Sequence, residues 1–190
     1  MYRKLLITGA ACDALALAAC GKTPDETTAA TPDANPAATV PTPANEAGAP
    51  DFVAKAAAGD MFEIESSKLA LTRTKNADIK AFAQMMIDMH TQTTAGLKKA
   101  IADSGQPLTL PAMLPADLQG KLDDLTKESD ADFDKAYIDA QVDGHQAALD
   151  LMTRYAKDGT VPALQAAAAL TAPTVQEHLT KAKGLQEGLK

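Results

Sequence analysis

From residue 51 onward, apolar residues recur at alternating spacings of four and three, the period of one face of an α-helix. The first such stripe reads Phe52, Ala56, Gly59, Glu63, Ser66 and Ala70, and predicts a helix from Asp51, as N-cap, to about Thr74. A second runs Ile79, Ala83, Met86, His90, Thr93, Leu97 and Ala100, predicting a helix over 76–104 that Gly105 ends as a left-handed cap. Residues 105–128 hold Pro107, Pro111 and Pro115 and one short amphipathic piece, Leu118-Leu122-Leu125, and read as a crossover. The third long stripe, Ile138, Val142, His145, Leu149, Met152 and Ala156, predicts a helix over 130–157. Asp158-Gly159 breaks it, and Thr160 caps a fourth helix with Pro162 in its first turn. That last stripe reads Leu164, Ala168, Thr171, Val175, His178, Ala182, Leu185 and Leu189, with Pro173 inside it as an expected kink. The fold expected is all-α, a ferritin-like antiparallel four-helix bundle whose crossover carries a short helix between helices two and three.

Composition agrees: Ala is abundant and, with Leu, Lys, Gln, Glu and Met, is helix-forming material, while aromatics are 4% and Trp is absent, which leaves little material for a sheet. The net charge of −7 comes without a clustered Lys/Arg patch, so nucleic acid is not an expected partner.

The first fifty residues follow a different logic. Arg3 and Lys4 precede an apolar stretch ending Leu17-Ala18-Ala19-Cys20, the order of a secretory signal and too short for a membrane span. The four residues 17–20 resemble a bacterial lipobox, which makes Cys20 the lipidated residue and 1–19 the signal peptide. Asp13 interrupts the apolar stretch, and Gly9-Ala10-Ala11-Cys12 is a rival box with a shorter apolar core. Gly21 rather than Asp follows Cys20, so sorting by analogy favours the outer membrane, with the domain in the periplasm. Residues 20–50 carry six of the eleven prolines among Thr, Ala and Asn, and are expected to form a disordered tether between lipid and the domain 51–190. Cys12 and Cys20 are the only cysteines, so a mature domain cleaved before Cys20 has neither disulfide nor thiolate chemistry.

All three histidines, His90, His145 and His178, fall on the stripes of three different helices, and Glu63 falls on the fourth. Glu63 and His90 lie about 12 and 15 residues either side of the first hairpin, and His145 and His178 about 13 and 18 either side of the second, mismatches of only several ångströms at about 1.5 Å per residue. His90 precedes the crossover by as much as His145 follows the start of its helix. One core layer can therefore hold a carboxylate and three imidazoles. Two readings stay open: a polar layer that fixes helix register, or a site for a single Zn, Cu or Fe ion. Met86, one turn before His90, is a soft-ligand candidate for copper. A di-iron centre needs Glu-x-x-His, and Ile87, Val142 and Val175 stand three residues before the histidines, so that motif is missing. No nucleophile elbow or phosphate loop is present, and no enzymatic activity is expected.

Several groups of these residues together resemble the DUF4142 family of bacterial envelope proteins. They are Phe52-Val53, Ala56-Ala57, Gly59 and Glu63-Ile64, then Leu69-Ala70, Phe82-Ala83-Gln84-Met85-Met86-Ile87 and His90-Thr91, and finally Phe133-Asp134, Tyr137, His145-Gln146 and Pro173 with His178-Leu179. The resemblance covers about residues 51–187 and implies a ferritin-like bundle, often exported or lipid-anchored, with no assigned activity. Members usually carry Asp directly before the second-helix His, where this chain has Met89 and places Asp88 one position earlier. On these grounds the expected role is a non-enzymatic envelope-binding or stress-associated module, with the single-metal protein as the alternative.

Overall fold

A computed structural model describes residues 48–189; the expected signal peptide, Cys20 and nearly all of the expected tether lie outside them. Five helices hold most of the described chain: α1 (Ala49–Arg73), α2 (Ala77–Ser104), α3 (Ala116–Lys127), α4 (Phe133–Asp158) and α5 (Pro162–Gly188). No strand occurs among the described residues. None of these helices is long and apolar enough to cross a membrane.

The ends follow local chemistry. At α2, the Asn76 side chain accepts hydrogen bonds from the backbone N–H of Asp78 (2.9 Å) and Ile79 (3.4 Å). Gly105 closes the helix at φ 63, where a Cβ is strained. At three other ends the expectations from sequence shift. Helix α1 begins two residues before the expected cap Asp51, with Gly48 as N-cap and Pro50 in the first turn, where its fixed φ suits a helix and its missing N–H costs nothing. Asp51 instead places negative charge in that turn and pairs with Lys55 at 2.8 Å. Val161, not Thr160, caps α5. Helix α4 starts at Phe133 rather than near Asp130, because Ser129 and Asp132 first bond each other in a turn. Asp130 then pairs with Arg73 at 2.7 Å. Pro173 lies within α5, which continues through it from Pro162 to Gly188.

The four long helices form a ring in which α1 packs on α2 and α4, and α5 packs on both α4 and α2. Arg73 at the end of α1 donates to the carbonyls of Leu125 and Glu128 and lies 4.4 Å over the Phe133 ring. Phe82, early in α2, meets Tyr137, early in α4. The end of α1 and the starts of α2 and α4 are therefore at one end of the bundle, and every neighbour in the ring is antiparallel. The crossover 105–132 must return the chain over the whole bundle length, and α3 packs against α1 and α4 on the way. One long crossover between two hairpins is the connectivity of ferritin-like bundles.

The core divides into two apolar clusters. One holds Phe52, Val53, Leu97, Tyr155 and Leu164, with Phe52 stacked on Tyr155 at 3.9 Å between centroids. The other holds Phe62, Ile79, Phe82, Met86, Tyr137 and Ile138. Between them, at mid-height, lie the buried polar residues Asp60, Glu63, His90, Gln141, His145 and His178. Polar side chains survive in such a place only with partners or a ligand.

Candidate metal centre

His90 comes from α2, His145 from α4 and His178 from α5, each from the middle of its helix and each at most 6% exposed. Their ring centroids are 5.4–5.7 Å apart pairwise. One ring nitrogen from each lies within 4.8 Å of the other two. Three points so spaced fit within about 2.8 Å of a common centre, well under an ångström beyond a His–Zn bond of about 2.0–2.1 Å.

Two of the rings are held at one edge. His145 Nδ1 lies 2.8 Å from the Gln141 carbonyl, which only accepts, so Nδ1 carries the proton and Nε2 keeps a free lone pair. His90 Nδ1 is 2.8 Å from Asp60 Oδ1 and donates to that carboxylate in the same sense. Asp60 also accepts from Thr93 and Thr94, both at 2.8 Å, so its two oxygens are fixed by three donors. Carboxylate–imidazole and carbonyl–imidazole pairs of this kind orient metal-ligating histidines. The atoms left over are His90 Nε2, His145 Nε2 and His178 Nδ1, all buried without a hydrogen-bond partner.

Glu63, expected from sequence as the fourth member of the layer, is buried, but it is not among the groups that converge within 4.8 Å. Its Oε1 stands 3.8 Å from His145 Nδ1, on the ring edge that faces away from the free Nε2. A glycine makes that position accessible: a Cβ on Gly144 would come within 2.8 Å of Glu63 Oε1. The other Glu63 oxygen, Oε2, has no partner. Met86, the soft-ligand candidate, is fully buried in the apolar cluster with Phe82 and Ile138. Cys20 lies outside the described residues.

Sequence reasoning missed Asp60. The first stripe was drawn through Gly59, which is partly exposed, whereas Asp60 is buried beside it. Its spacing from Glu63, three residues and so one helical face, was the available signal.

The electrostatics follow from burial and these partners. Burial pulls the His178 pKa down, and His145, His90 and Lys181 push the same way, to about 3. Burial also lowers His145, against the pull of Glu63. Burial opposes charge on His90 too, but the Asp60 hydrogen bond and the Glu63 and Asp60 charges outweigh it, so its pKa is raised. Two of the three rings are thus held neutral, the form that binds metal.

The chain matches the family described as "Domain of unknown function (DUF4142)" over residues 34–185, and it belongs to that family. No curated protein and no solved structure matches it.

Proposed function

We propose that this protein is a lipid-anchored envelope component whose bundle holds one transition-metal ion on His90, His145 and His178. The observation that carries this reading is the set of three buried imidazoles that each bring a ring nitrogen within 4.8 Å of the others and each keep one ring nitrogen unpartnered, with Asp60 and the Gln141 carbonyl holding two of the rings. A lone pair left without a partner inside a core costs about 1–3 kcal/mol, and one ion satisfies all three. Three imidazoles suit Zn, Cu or Fe and leave a fourth position open. Glu63 is close enough to balance the charge of such an ion without ligating it.

The experiment is metal analysis of the purified chain beside its triple His→Ala variant. The proposal expects about one equivalent in the first and none in the second; equal content in both refutes it. A second reading, a register-fixing polar layer, draws on the complete hydrogen-bonding of Asp60. It predicts that a chelator leaves the melting temperature unchanged, whereas the metal reading predicts a fall.

The anchor is supported by the lipobox-like 17–20 run, and the composition of 21–50 supports a spacer reaching the periplasm, with the outer membrane favoured. Globomycin should trap a heavier precursor in expressing cells. An unchanged mass would remove the anchor and leave the metal proposal intact.

A further inference from the structure

We infer that the cleft reaching the imidazoles is a binding chamber for a small molecule with one lone-pair head group and an apolar body. The head would take the coordination position that three histidines leave open, so this inference rests on the proposed metal centre. Five observations converge on it. A cleft of about 1520 Å³ opens into the bundle and is walled by residues of all four long helices, larger than the roughly 300–1,000 Å³ of ordinary small-molecule sites. Among its lining residues are Asp60, Glu63, His90 and His145, so the space borders the polar layer at two of its three imidazoles. Much of the remaining wall is small or apolar, including Ala56, Ala148, Leu151 and Ala167.

Gly59 and Gly96 also line the cleft, and a Cβ built on either meets no heavy atom within 4 Å, so the space in front of both is open. The large hydrophobic side chains most exposed among the described residues, Met113 (76%) and Leu170 (80%), both border this same cleft. Apolar groups that meet water at the mouth of an apolar cleft gain by being covered.

The polar groups define the head. A divalent ion on three neutral imidazoles would have the carboxylates of Asp60 and Glu63 behind two of the rings, at their Nδ1 edges, offsetting its charge through them. A neutral or singly charged donor fits there, and a doubly charged anion would meet uncompensated negative charge. The walls define the body, for which a chain of methylenes is the simplest match.

The test loads the full chain with Co(II) and follows its d–d absorption while titrating imidazole or 1-hexylimidazole. The chamber predicts at least tenfold tighter binding of the hexyl compound. Gly59→Leu, which fills the open space and favours the helix, should cut that preference below threefold at unchanged cobalt content; Gly96→Leu provides a second plug. Equal affinities for the two imidazoles, or a preference that both plugs leave intact, overturn the chamber while the metal reading stands. A chain that takes up no cobalt overturns the metal reading and the head-group assignment with it. The apolar part is then read separately with N-phenyl-1-naphthylamine, whose fluorescence should rise with the native chain and not with Gly59→Leu; no rise overturns the chamber as well.

Discussion

Asp60 of α1 and His90 of α2 meet at 2.8 Å across the first hairpin, carboxylate to Nδ1, and Thr93 and Thr94 hold the carboxylate on its other sides. The pair does two things at once. It joins two helices inside the core, and it takes up His90 Nδ1 so that Nε2 is the ring nitrogen left unpartnered. Asp60→Asn keeps the shape and removes the charge. We expect metal affinity to fall about 10–100-fold, the usual cost of losing a partner behind a ligating histidine, with the variant still folded. Competition against a chromophoric chelator measures it, and an unchanged affinity would separate Asp60 from the site.

Without metal, stability should depend on pH in a way the three rings dictate. His178, at about 3, and His145, also lowered, stay neutral when folded, yet each takes a proton near 6.5 once unfolded. The unfolded chain therefore binds more protons as pH drops below that value, and stability falls toward acid. His90 acts oppositely: its raised pKa contributes stability that is complete below about 6.5 and is lost as pH climbs through the folded value. Urea melts of metal-free protein between about pH 4.5 and 8 should show a maximum near the histidine range. The acid limb should flatten in His178→Gln; a limb of unchanged slope would contradict the assignment.

Gly144 and Glu63 form a steric pair. Alanine at 144 gains up to about 1 kcal/mol of helix propensity but drives its Cβ to 2.8 Å from Glu63 Oε1. The buried carboxylate must move off its place by His145, and we expect Gly144→Ala to be net destabilising by about 1–2 kcal/mol. In a Glu63→Ala background the penalty should vanish and the propensity gain emerge. A double-mutant cycle by chemical denaturation reads the coupling.

Gly159 is constrained more severely, because its neighbour is backbone. A Cβ there would lie 2.5 Å from the Tyr155 carbonyl oxygen and 2.6 Å from Tyr155 Cε1. Tyr155 is stacked on Phe52 and has little room to yield. Gly159→Ala should cost about 1–3 kcal/mol, seen as a lower urea midpoint with the metal content unaltered.

The long elements were legible in the sequence because each repeats one stripe over about five to seven turns, and α2 shows why its ends were legible too. Asn76 and Gly105 are residues whose side chain, or lack of one, satisfies a helix end directly. Helix α1 hid its start, since Pro50 reads as a breaker in a proline-rich stretch and only the docking of Ala49 and Phe52 into the core turns it into a first-turn residue. In α4 the stripe was drawn through Val142 and Leu149, which are half-buried, while Gln141 and Tyr155 carry the deep contacts. A heptad template follows one line and misses the wider face that a ring of four helices buries. The histidines were brought to one height even though the crossover runs to the opposite end of the bundle. They lie at mid-helix, where distances from either end are alike. Asp60 was not legible as a partner because its value depends on Thr93 and Thr94 of another helix.

Each imidazole stands on its own helix: His90 on the first hairpin, His145 and His178 on the second. An ion bound there would be a clasp between two halves of the chain that pack on each other but are covalently joined only through the crossover. Severing that crossover would yield two hairpin fragments, neither with a complete donor set, and reassembly of the pair would become a titratable response to the ion itself.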